Sequence, residues 1–110
     1  MTALPFLALL LRAATDAHAM DPNVCEANAR RFVQGDLDAY IHLAHEYPGE
    51  PLWTRYLACE GQPLQLVESV QDGRYWTPTF HYTYSVQCGR AAFTFGATFE
   101  VRSDCQVVGG

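Results

Sequence analysis

The stretch YWTPTFHYTYSVQCGRAAFTFGATFEVR, residues 75–102, decides the fold. Its side chains alternate with period two on both sides of Gly89-Arg90, the pattern of a strand with one buried and one wet face. On the first run, Trp76, Phe80, Tyr82, Tyr84, Val86 and Cys88 share a face, and Tyr75, Thr77, Thr79, His81, Thr83, Ser85 and Gln87 share the other. On the second, Ala91, Phe93, Phe95, Ala97, Phe99 and Val101 alternate with Ala92, Thr94, Gly96, Thr98, Glu100 and Arg102. A Gly-X pair suits a tight type II′ turn, because glycine accepts φ > 0 at its first central position. The turn then sets the register: Val86 faces Phe93, Tyr84 faces Phe95 and Phe80 faces Phe99. A slip by one residue would turn the aromatic row into water. Pro78 cannot donate to a ladder and marks an edge or a bulge near the open end.

Upstream of this hairpin the period changes to that of helices. Asp21-Pro22 reads as an N-cap followed by proline at the first helical position. Val24, Cys25, Ala29, Phe32 and Val33 form an apolar stripe, and Gly35-Asp36 interrupts it as a helix end and a new cap. Leu37, Tyr40, Ile41, Ala44 and Tyr47 continue as a second segment, or as the second arm of one kinked helix. Tyr47-Pro-Gly-Glu-Pro51 is a loop. Leu52, Trp53, Tyr56 and Leu57 have the spacing of a short helix ending near Cys59. A strand runs from Pro63 to about Gln71, Asp72-Gly73 turns, and Gln106 to Val108 forms a last short strand. The class is therefore α+β, with N-terminal helices packed on one face of a three- to four-stranded antiparallel meander sheet.

The chain has 110 residues. Leu4 to Leu11 is apolar and Ala17-His-Ala19 fits signal-peptidase cleavage, so residues 1–19 are expected to be a signal peptide and 20–110 the single folded domain. The apolar run is too short to span a bilayer, which takes about 20 such residues. A domain this small buries only about 60–65% of its unfolded surface. Cys25, Cys59, Cys88 and Cys105 all follow the cleavage point, and an even cysteine number in a small exported domain points to two disulfides. A pairing of Cys88 with Cys105 is disfavoured, because residues 91 to 103 extended span about 40 Å at ~3.3 Å each. Two patterns remain: Cys25–Cys88 with Cys59–Cys105, or Cys25–Cys105 with Cys59–Cys88.

Net charge is −5 and the sequence contains no lysine. Without a basic run the chain is a poor ligand for nucleic acid or for anionic membranes. No cofactor motif is present. His42, His45 and Glu46 are neighbours on a helix, but their order is not that of helical zinc motifs. His42 also lies opposite the apolar stripe, so the group reads as a solvated face and no metal site is expected. His81 sits among threonines, without a readable nucleophile and orienting group, so no catalytic residue is assigned.

The segment Ala29-Arg-Arg-Phe-Val-Gln-Gly-Asp-Leu-Asp-Ala-Tyr-Ile41, with the strand-rich half that follows, resembles the nuclear transport factor two-like and ketosteroid-isomerase-like (cystatin-like roll) superfamily. The resemblance implies a pocket between helices and sheet, lined by Trp76, Tyr82, Tyr84 and Phe95, with Asp36 or Asp38 nearby as base. Small size, disulfides and acidic charge favour a periplasmic or secreted domain that binds a protein partner as an inhibitor, immunity protein or secretion accessory, without catalysis. Its docking face would be the threonine side, with Tyr75, His81 and Thr83. The alternative is a small-molecule-binding or isomerase-like enzyme that uses the aromatic pocket.

Overall fold

The computed structural model describes residues 21–72, 79–101 and 105–109. The expected leader, residues 1–19, and the residues Tyr75, Trp76 and Pro78 lie outside them. A long helix, α1 (Pro22–Glu46), is followed by a single turn, α2 (Pro51–Thr54), a 3-10 segment (Arg55–Cys59), and strands β1 (Gln65–Asp72), β2 (Thr79–Cys88), β3 (Ala91–Glu100) and β4 (Val107–Gly109). The strands form one antiparallel meander in the order β1-β2-β3-β4. Among the described residues no helix is long and apolar enough to cross a membrane.

The start of α1 follows from its sequence. Asp21 has extended backbone, and its carboxylate accepts from the Asn23 N–H at 2.9 Å, with proline next in the chain. That satisfies one of the orphan donors of the first turn. The helix then runs unbroken for 25 residues, where the sequence predicts two segments or a kink at Gly35-Asp36. The reason is the stripe. Cys25, Ala29, Val33, Leu37, Ile41 and Ala44 are all buried and carry one continuous face across Gly35. Burying that face outweighs the roughly 1 kcal/mol that a mid-helix glycine costs. Val24 and Phe32, expected on the stripe, are instead largely exposed on its flanks. The helix ends at Tyr47, whose N–H bonds the Leu43 carbonyl at 2.9 Å, and Pro48 prevents continuation.

The hairpin of β2 and β3 has the predicted register throughout, from Thr79 opposite Glu100 to Cys88 opposite Ala91. Gly89 takes φ +64, and Arg90 is not in the positive-φ region, as a type II′ turn requires. Tyr82, Tyr84, Val86, Cys88, Ala97 and Phe99 are buried against the helix. α1 lies over β2, β3 and β4. It leaves β1 uncovered, and every residue of that strand except Asp72 is exposed. A bulge at Val67 shifts the pairing between Leu66 opposite Tyr84 and Glu68 opposite Thr83.

Two disulfides join the layers, Cys25–Cys105 and Cys59–Cys88, which selects the second pairing pattern and leaves no free cysteine. One bridge pins the turn end of the hairpin to the 3-10 segment. The other pins the segment after β3 to the first turn of α1. Between them an aromatic column runs from Trp53 to Tyr40 (5.9 Å between ring centres), Tyr56 (4.9 Å) and Phe93 (4.8 Å). The Arg55 guanidinium stacks over Tyr56 and Phe93 at 5.2 and 5.4 Å. Such stacks add to simple area burial.

Candidate functional site

The sheet has a covered face and a bare one. Each cross-strand pair shares a face, so the register assigns sides. Val70 pairs with His81, which pairs with Thr98; Glu68 pairs with Thr83, which pairs with Gly96. These residues form the side away from α1, and no described element lies on it. His81 is exposed there, and its Nδ1 is 3.3 Å from the Thr98 hydroxyl. Thr83 is half-buried in the same surface. Val70 stands beside them, 45% exposed. Among the described residues, Glu68, Asp72 and Glu100 are the acidic side chains of this face.

The sequence-predicted binding set therefore divides. His81 and Thr83 come together on the bare face. Tyr82 and Tyr84 point the other way and are buried in the core. Tyr82 packs edge-on against Phe99 at 5.6 Å and parallel to Phe80 at 6.1 Å. The Tyr84 hydroxyl donates toward Glu26, with 3.0 Å to Oε1 and 3.1 Å to the carbonyl oxygen. Arg30 completes the group. Its guanidinium donates to Glu26 Oε1 at 3.0 Å and to the Leu64 carbonyl at 2.7 Å, and lies 5.1 Å from the centre of the Tyr84 ring. Burial pushes the Tyr84 phenol well above the usual tyrosine range; the hydrogen bond to Glu26 and its negative charge add to the shift, while Arg30 opposes it. Tyr82 is raised too, by burial first and then by the Glu26 charge. Both are neutral at physiological pH, and both serve the seam between α1 and β2.

The pocket implied between helices and sheet is occupied by side chains. Val33, Leu37, Tyr84, Val86 and Phe99 are essentially inaccessible there. Asp36 and Asp38 are exposed on α1 rather than aimed at the tyrosines. A cleft of about 560 Å³ does exist elsewhere, between α1 and the turn after the 3-10 segment. Gln34, Asp38, His42 and His45 line it from the helix, and Glu60 and Gln62 from the turn. His45 Nε2 is 2.9 Å from Glu60 Oε2, His42 Nε2 is 3.5 Å from Glu46 Oε2, and Gln34 donates to Asp38 at 3.0 Å. These pairs are open to solvent and satisfy one another. Among the described residues no three His, Cys, Asp or Glu side chains are gathered as metal ligands. With all four cysteines in disulfides, no thiol nucleophile is present.

Val70 and Glu68 are the members of the bare face that the sequence reading missed. Alternation along Leu66-Val-Glu-Ser-Val70 has no consistent sense, because the bulge at Val67 inserts a residue between the two pairings. Val67 and Val70 are three residues apart, a spacing that strict alternation puts on opposite faces, so alternation alone gives this strand no single apolar side.

No protein-family model, curated protein or solved structure matches this chain.

Proposed function

We propose that the chain is an exported, disulfide-stabilised domain that binds a protein partner and performs no catalysis. The supporting observation is the asymmetry of the sheet. One face is closed by α1, and the other offers Val70, His81, Thr83 and Thr98 as a flat, solvent-facing platform. A mixed polar sheet surface with an apolar side chain, Val70, on its edge strand suits a macromolecule better than a small ligand, which needs concavity. The exposed Glu68 beside the platform and the net charge of −5 favour a partner with a basic contact surface and an association rate that falls with salt. Two closed disulfides suit an oxidising compartment, the periplasm or the extracellular space.

The reading is tested by capture from a periplasmic or secreted fraction with the wild-type domain and with the doubly substituted Val70→Asp, His81→Glu variant. Both substitutions are on exposed side chains, so the fold should persist by circular dichroism. One protein retained by the wild type and lost from the folded variant supports the platform. The same protein retained equally by both places the contact elsewhere.

A further inference from the structure

Asn28, Phe32, Asp36 and Tyr40 form a row along one flank of α1, because residues four apart are neighbours on a helix. Three contacts say which part of the sheet that flank overlooks. At its start the Asn28 amide donates to the Cys105 carbonyl, on the segment leading into β4. At its end the Tyr40 ring stacks on Tyr56, which stacks on Phe93 of β3. The opposite flank reaches toward β1, where Arg30 donates to the Leu64 carbonyl. The row thus follows β3 in the opposite sense. Its middle is open: Phe32 is 45% exposed, and Asp36 is exposed and meets no charged or hydrogen-bonding group among the described residues.

Below that flank lies a free strand edge. β4 pairs only with Thr98 and Phe99 of β3, and no described strand lies beside residues 91–97. The two-residue turn makes Cys88 and Ala91 a hydrogen-bonded pair, in the register observed. Main-chain groups of alternate residues therefore turn to β2, and the N–H and C=O groups of Ala92 and Thr94 point outward. Both residues are exposed. Exposed edges are ordinarily blocked by charge, proline or a bulge. β1, the other edge of the sheet, carries a bulge at Val67 and the acidic Glu68. Residues 91–95 carry none of these.

Edge and flank complement one occupant. Phe93 and Phe95 stand on the helix side of β3, both half-exposed, and with Phe32 and Tyr40 above them they form an apolar shelf along the open edge. Phe32 to Tyr40 spans about 12 Å of helix at ~1.5 Å per residue. Five residues of strand span about 16 Å at ~3.3 Å each, so the shelf runs most of the length of the edge. A row of outward main-chain donors and acceptors fits an extended segment, whose alternate side chains then lie on the shelf. In strand addition the main chain gives affinity and the alternate side chains give specificity. The unmatched Asp36 carboxylate adds a sign. None of β1 to β4 contains arginine or lysine, so a strand from a second copy would leave Asp36 without a counter-charge.

We propose that residues 91–95 of β3 accept an extended segment of another protein as an added strand, with alternate apolar side chains against Phe32, Phe93 and Phe95 and an arginine or lysine beside Asp36. The pairing stops short of Thr98, so β4 keeps its place with Gly109 opposite Thr98. The site is separate from the platform around His81 and does not depend on it.

Phage display of linear peptides of about seven residues, the length strand addition needs here, supplies the probe when panned against the whole domain with native disulfides. Enriched peptides should alternate apolar with polar residues and carry an arginine or lysine. A fluorescein-labelled synthetic copy of the most enriched peptide is then titrated. Thr94→Pro removes an outward N–H at an edge position where proline is tolerated, and Asp36→Arg reverses the charge of the flank. Each should raise the peptide's dissociation constant about tenfold or more with an unchanged circular dichroism spectrum. In the wild type, the peptide should slow hydrogen exchange at the Ala92 and Thr94 amides. The Val70→Asp, His81→Glu variant should bind the peptide as the wild type does, which separates this site from the platform. No enriched peptide, affinity indifferent to either folded variant, or amides left unprotected at residues 92 and 94 overturns the proposal. So does binding lost only in the Val70→Asp, His81→Glu variant. A concentration-dependent dimer in sedimentation velocity that Thr94→Pro abolishes overturns it too, since a second copy then occupies the edge.

Discussion

The Tyr84 hydroxyl and the Glu26 carboxylate meet at 3.0 Å across the seam between sheet and helix. The phenol is the donor and Glu26 the acceptor, while Arg30 holds the same oxygen from the other side and reaches on to the Leu64 carbonyl. One small polar group thus connects α1, β2 and the segment entering β1 inside an otherwise apolar contact. Removing one member leaves the others with fewer partners than their burial requires. Tyr84→Phe is expected to destabilise the domain by about 1–2 kcal/mol, measured as a shift of the urea midpoint at constant slope.

The same tyrosine sets an alkaline limit. Its folded-state pKa is raised above the ordinary value of 10.0, and Tyr82 moves in the same direction. The unfolded chain therefore loses these protons before the folded one does. The stabilisation is complete below about pH 10 and declines as pH climbs from there through the folded-state values. Denaturation curves between pH 8 and 12 should show a flat region followed by a steep fall. In Tyr84→Phe the fall should be shallower. In the wild type, phenolate absorbance from the buried tyrosines should appear together with unfolding rather than ahead of it.

Gly35 sits inside α1, and a Cβ placed there meets nothing within 4 Å. Nothing in the fold uses its freedom. Gly35→Ala is expected to stabilise the domain by about 0.5–1 kcal/mol, the difference in helix propensity. For a domain this size that raises the melting temperature by roughly 2–8 °C. An unchanged or lower melting temperature would contradict the account of a continuous helix.

The two disulfides close loops of different length, with sequence separations of 80 for Cys25–Cys105 and 29 for Cys59–Cys88. Chain entropy gives about 4.5 and 3.6 kcal/mol respectively. Paired replacement by alanine should therefore cost more at Cys25 and Cys105. It should also speed hydrogen exchange at β4, which is only three residues long. Peptide mapping without reduction should recover the 25–105 and 59–88 links.

The hairpin was legible in the sequence because a period of two and a Gly-X turn leave one register that buries the aromatic row, and every pair from Phe80–Phe99 to Val86–Phe93 follows it. The cap at Asp21 was legible for the same kind of local reason. Gly35-Asp36 misled because capping chemistry is local, whereas the stripe that carries α1 past it draws its stability from contacts with strands more than forty residues away. The bridge pairing stayed open between two patterns, since sequence distance alone does not say which end of α1 lies at which end of the hairpin. The bare face was legible at His81 and Thr83. Val70 was hidden by the bulge, and the opposite orientation of Tyr82 and Tyr84 followed from alternation alone.

The Cys25–Cys105 bridge also determines what proteases can do to this domain. It encloses nearly all the described residues in one covalent ring. A cut in the exposed Pro48-Gly49 loop opens that ring without releasing a fragment, because Cys25–Cys105 still joins the two pieces, while Cys59–Cys88 lies wholly within the C-terminal one. The sheet stays seated on the helix, and the nicked molecule should keep both its mass and its surface until the disulfides are reduced.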